Sequence, residues 1–79
     1  MTTILVVDDE PSIRVLLKEE LEREGYRVVC ASSVEEAVRA MEENNPSLLV
    51  LDIKLGEESG IDFLLEIAKR DKKLPIILN

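Results

Sequence analysis

The chain has 79 residues, 10 of them basic and 17 acidic, for a net charge of -7 at pH 7. Such a charge repels phosphate backbones and argues against direct nucleic-acid contact by this segment. One cysteine, Cys30, and no histidine exclude an intrachain disulfide, a cysteine–histidine zinc site and a histidine base.

The first apolar run, Ile4 to Val7, has strand length and is continuously aliphatic, as expected of a strand covered on both faces. It ends in acids and is too short for a signal peptide or a membrane span, which places the chain in the cytoplasm with no membrane partner. The run stops on Asp8 and Asp9. Pro11 then stands where a first helical residue can do without its N–H, and Ile13, Leu16, Leu17 and Leu21 repeat at helical spacing. Gly25 follows, where a left-handed cap is wanted, with Tyr26 packing at the turn. The charges between Lys18 and Gly25 read as a solvated helix face with Lys18 paired to Glu22.

Val28 to Ala31 gives a second strand, with Cys30 as a core residue. Ser33 and Glu36 form a capping box for a helix along Val34, Ala37, Val38 and Met41, which Asn44 to Pro46 ends. Leu48 to Leu51 is another buried-strand run, and it stops on Asp52. Ser59 with Asp62 resembles a third helix start, for a stripe of Ile61, Leu64, Leu65 and Ala68. Lys69, Arg70, Lys72 and Lys73 gather at the end of that helix, where positive charge complements the dipole. Ile76 to Leu78 completes the chain as a fourth strand.

Alternating strands and helices with short connections predict a parallel α/β sheet with right-handed crossovers and helices on both faces. Ligands of such sheets collect outside the carboxyl ends of the strands. Asp8, Asp9 and Asp52 occupy those ends. The acidic "DDEP" has two readings, helix initiation beside Pro11 or a functional cluster. Asp52 favours the second: if the first and third strands are neighbours, the carboxylates converge, and like charges at close range need a neutralising cation. Magnesium suits a few carboxylates plus waters, with a backbone carbonyl as a further ligand, and no calcium-loop spacing is present. A cation there also opens phosphoryl transfer to Asp52 as a nucleophile.

"ILVVDDEPSIR", "LLVLDIKLGEESGIDFL" and "LPIIL" together resemble the CheY-like receiver domain of two-component response regulators, over essentially the whole chain. The acidic pair, the strand-terminal Asp52 and Gly60 make a joint pattern. The resemblance implies a flavodoxin-like sheet, here in the order 2-1-3-4, and a partial receiver domain over residues 1–79 lacking the last strand and helices. It implies Asp52 as phosphoacceptor, Asp8 and Asp9 as the Mg2+ pair, and Lys54 as a metal ligand through its backbone carbonyl. A histidine kinase or phosphotransfer protein would be the partner. Gly56 stands where a proline is frequent in the family, and Ser59 where an aspartate often appears. The family's Ser or Thr after strand four, and its lysine ending strand five, would follow Asn79; without them, switching is expected to be impaired.

The open strand-four edge further suggests a homo-oligomer, by edge pairing or exchange of elements. Two other functions stay open: a self-associating fragment without phosphorylation, and a phosphohydrolase with an aspartyl nucleophile. Such hydrolases usually carry a second acid where this chain has Lys54.

Overall fold

A computed structural model describes residues 1–54, 60–71 and 73–78. The elements follow in the order β1 (Thr3–Val7), α1 (Pro11–Arg23), β2 (Arg27–Ala31), α2 (Val34–Asn44), β3 (Leu48–Leu51), α3 (Gly60–Arg70) and β4 (Ile76–Leu78). The sheet is parallel throughout, in the order β2-β1-β3-β4, as expected from the sequence. Its register sets Val7 beside both Ala31 and Leu51, so the ends of the three strands lie level.

Alternation along β1 divides the core. Leu5 and Val7, with Ala31, Leu49 and Leu51, meet Ala37 and Ala40 of α2 and Phe63 and Ile67 of α3. Ile4, Val6 and Val28 face the other way, against Leu17 and Leu21 of α1. Both faces of β1 are therefore dry, which explains its unbroken aliphatic run. Each fully buried Phe, Leu, Ile or Val contributes about 1.5–3 kcal/mol relative to exposure.

Local signals place the helix ends as the sequence predicts. Pro11 opens α1, and Gly25 beyond its end has φ +94°, a conformation costly for other residues. Ser33 Oγ accepts the Glu36 N–H at 3.2 Å. The return bond differs from a standard capping box: Glu36 reaches past Ser33 to the N–H and hydroxyl of Ser32, both at 3.0 Å to Oε1. These bonds hold the Glu36 carboxyl below its ordinary pKa. Asn45 ends α2 in the left-handed region at φ 46°.

Three expectations need correction. In α3 the buried stripe is Gly60, Phe63 and Ile67 with Leu64 beside it, whereas Ile61 and Leu65 are 54% and 57% exposed and Ala68 is also exposed. Two apolar stripes overlap in this helix, and the one holding the aromatic ring and the glycine that meets β3 is turned inward. In α1 no residue is fully buried, and Leu16 is 53% exposed. Arg14 and Lys18 lie toward Cys30 of β2, and helical geometry puts Leu16 on the opposite flank. Lys18 and Glu22 both act on the Cys30 thiol rather than forming the expected pair; the ion pair found in α1 is Glu20–Arg23 at 3.1 Å. Tyr26 is exposed at its turn, while Cys30 and Met41 are half-buried against the core. The Ser59 start signal, Gly56 and Lys72 lie outside the described residues.

Candidate metal centre

β1 and β3 end side by side, and the backbone ties their ends together. The Asp52 N–H donates to the Val7 carbonyl at 2.9 Å, continuing the ladder by one residue. On the other side of β1, the Asp8 N–H donates to the Ala31 carbonyl at 3.1 Å. Asp8 and Asp52 are thus the first residues past the paired segments, on adjacent strands. Asp9 follows Asp8 into the loop.

The three side chains meet: Asp8, Asp9 and Asp52 each offer a carboxylate oxygen, and these oxygens all lie within 4.8 Å of one another. Asp8 is buried at 4% exposure, Asp52 half-buried and Asp9 exposed. Glu10 N–H donates to Asp8 Oδ1 at 2.9 Å, and Lys54 N–H to Asp52 Oδ1 at 2.9 Å. Each carboxylate is thereby oriented by a backbone amide two residues on. The Lys54 backbone lies at the cluster, while its side chain is exposed.

Burial pushes the Asp8 carboxyl up from its ordinary pKa; the Glu10 N–H opposes this, and the charges of Asp52 and Asp9 add to the rise, as does the Asp8–Asp52 side-chain contact. Among the described residues the ion pairs are Glu20–Arg23, Glu35–Arg39 and Glu66–Arg70, all on exposed helix faces. None involves the cluster. Three convergent hard oxygen donors without a paired side-chain cation fit a divalent ion such as Mg2+.

Helix initiation does not account for the acids. Glu10 is the N-cap of α1 and makes no side-chain capping bond, and the first turn holds no acidic residue. Asp8 accepts from an N–H ahead of the helix rather than within it.

A model of the response regulator receiver domain matches residues 4–79. The chain belongs to that family. Among curated relatives, the alkaline phosphatase synthesis transcriptional regulatory protein PhoP of Bacillus subtilis is 44% identical over 75 residues, covering 95% of this chain and 31% of PhoP. The chain therefore spans less than half the length of that regulator. The response regulator protein TrrA of Thermotoga maritima, solved with Mg2+ and BeF, is 49% identical with a TM-score of 0.91, over 99% of this chain and 68% of that one. TrrA in complex with the histidine kinase ThkA gives 49% identity and a TM-score of 0.89, over 99% of this chain and 67% of that one.

The structure brings the side chains of Asp8, Asp9 and Asp52 together and sets the Lys54 N–H against Asp52 Oδ1. Two contributors to the geometry were missed. Gly60 was recognised only as part of the family pattern; a Cβ there would lie 2.6 Å from the Asp52 carbonyl oxygen and from Ile53 Cα, so the glycine admits α3 against the strand end. Arg14 reads in the sequence only as a residue of the first helix, yet its Nη1 donates to the Asp8 carbonyl at 2.7 Å. Its place at the edge of the α1 stripe, one turn past Pro11, was the available signal.

Proposed function

We propose that Asp52 accepts a phosphoryl group from a histidine kinase or phosphotransfer protein, at a site where Asp8, Asp9, Asp52 and the backbone carbonyl of Lys54 hold Mg2+. The observation that carries this reading is the convergence of three carboxylates from two strands, with no ion pair neutralising them among the described residues. The Mg2+–BeF complex of TrrA, and the complex of TrrA with a histidine kinase, support the metal and the partner class. Mg2+ held by these residues would supply positive charge that offsets the negative charge of the incoming phosphoryl group.

The chain's own part is positional. The Lys54 N–H fixes one Asp52 oxygen, and the ladder bond to Val7 fixes the Asp52 backbone. A carboxylate oxygen of Asp52 attacks phosphorus while the bond to the donor's leaving atom breaks, giving an aspartyl phosphate and releasing the dephosphorylated donor. Asp8 and Asp9 would hold the metal and form no bond to phosphorus. On this reading residues 1–79 make up part of a cytoplasmic receiver, a signalling module rather than a turnover enzyme. Among the described residues no helix is long and apolar enough to cross a membrane.

The test is intact-mass spectrometry after incubation with Mg2+ and a small acyl phosphate. One added phosphoryl group is expected on the native sequence and none on Asp52→Asn. A gain that survives the substitution, or no gain in either protein, would overturn the assignment; rapid turnover of the donor would favour the hydrolase. The self-association reading draws on the β4 edge, where Ile77 and Leu78 are both about half exposed. Sedimentation showing a folded monomer at high concentration would remove it.

A further inference from the structure

We infer that Arg14 is a positioning residue for the carboxylate cluster: by holding the Asp8 backbone carbonyl, its guanidinium fixes the turn that presents Asp8 and Asp9 to Asp52, and so sets affinity for a divalent cation. This rests on the metal-centre reading above.

Asp8 is anchored at three points. Its N–H goes to Ala31 at the end of β2, its Oδ1 accepts from Glu10, and its carbonyl accepts from Arg14. The first two bonds lie within the strand end and the turn itself. The Arg14 guanidinium bond spans six residues and, beside the Arg14 N–H bond to the Glu10 carbonyl at 3.2 Å, ties the turn to the body of α1, making it the side-chain contact that resists rotation of the turn about the strand axis. At 2.7 Å, with an ionised donor, it is of the stronger class of hydrogen bond. Arg14 is itself half-buried, and its charge also reaches Glu36 on α2 and Cys30 on β2. It therefore sits where α1, the end of β1, β2 and the start of α2 come together. Its effect on the carboxylates passes through the Asp8 backbone, since no Arg14 ion pair with them forms.

Charge and position predict opposite signs. Removing a cation near an acidic site strengthens Mg2+ binding if only electrostatics matters. Removing a support for a metal-binding side chain weakens binding, typically about 10–100-fold. Mg2+ affinity of the metal-free protein, measured by calorimetric titration without any phosphodonor, separates the two. Arg14→Met is expected to weaken Mg2+ binding by about tenfold or more. Arg14→Lys, which keeps a charged donor, should recover most of the loss, and Arg39→Met, which removes an exposed cation on α2, should leave affinity unchanged or slightly tighter.

Far-UV circular dichroism checks folding. If Arg14→Met does not fold, Arg14→Gln, a good helix former, serves the same comparison with the same weakening expected. Binding by the Arg14→Met or Arg14→Gln protein as tight as that of the native chain, or tighter, overturns the inference even if the variant is less stable, because a purely structural role would lower stability alone. Failure of the native chain itself to bind Mg2+ would overturn the metal-centre reading and this inference together.

Discussion

Gly60→Ala tests whether the close approach of α3 to β3 shapes the site. A methyl group at this position would stand 2.6 Å from the Asp52 carbonyl oxygen, 2.6 Å from Ile53 Cα and 2.8 Å from the Ile53 carbonyl carbon. All three neighbours are backbone, so no side chain can swing aside. Relief requires α3 to move away from the strand end by most of an ångström, and overpacking of this kind costs about 1–3 kcal/mol. One effect opposes it: alanine's advantage over glycine in a helix, up to about 1 kcal/mol and less at a first helical position, which arises largely from the lower entropy of the unfolded chain. The clash wins where the shift also disturbs Phe63 and Ile67, which are buried on the same face of α3. A net loss of roughly 1–2 kcal/mol is expected, a large share of the few kcal/mol that a chain this small commands. Urea unfolding measures it directly, and Mg2+ titration reports whether Asp52 has moved. A variant as stable as the native protein, with unchanged Mg2+ affinity, would refute the argument.

Asp8→Asn should raise the stability of the metal-free protein at neutral pH. The folded-state pKa of Asp8 lies above its ordinary value of 3.8, so the folded form holds the proton more tightly and ionisation of Asp8 opposes folding. That penalty is fully present above the folded pKa and disappears below the unfolded one, so the urea midpoints of the two proteins should converge at acid pH; a gain that persists there would contradict it. Mg2+ at a hundred times its dissociation constant should stabilise the native sequence by about 2.7 kcal/mol, and Asp52→Asn should lose most of that gain in a thermal shift assay. Ser33→Ala should cost about 1 kcal/mol by urea unfolding through loss of the α2 cap, with no change in Mg2+ affinity, since the cap lies outside the carboxylate cluster.

The strands and the acids at their ends were legible from short-range signals, whereas the sheet order that brings the acids together came only from the family resemblance. Unbroken aliphatic runs mark doubly covered strands, and acids directly after two of them must share one sheet edge once the order is set. The inward face of α3 was not legible. "GIDFLLEIA" carries two helical stripes of similar hydrophobicity, and what separates them is the contact of Gly60 with Ile53, between residues on different elements. Arg14 was hidden for a similar reason: a lone arginine near a helix start reads as solvated until the carbonyl it reaches is known. The Lys18–Glu22 pair failed because helical spacing permits an ion pair without selecting it over other neighbours.

The placement of β1 governs the order in which this polypeptide can fold during synthesis. It leaves the ribosome before the other three strands but occupies an interior position, flanked by Arg27–Ala31 on one side and Leu48–Leu51 on the other. Its aliphatic run stays without one lateral partner until residue 51 has been made, and non-local parallel pairing of this kind is slow and prone to aggregation. Asp8, Asp9 and Glu10 stand immediately after the run, where alignment of two such strands side by side in register would bring like charges together, an arrangement that disfavours their zipping into one another.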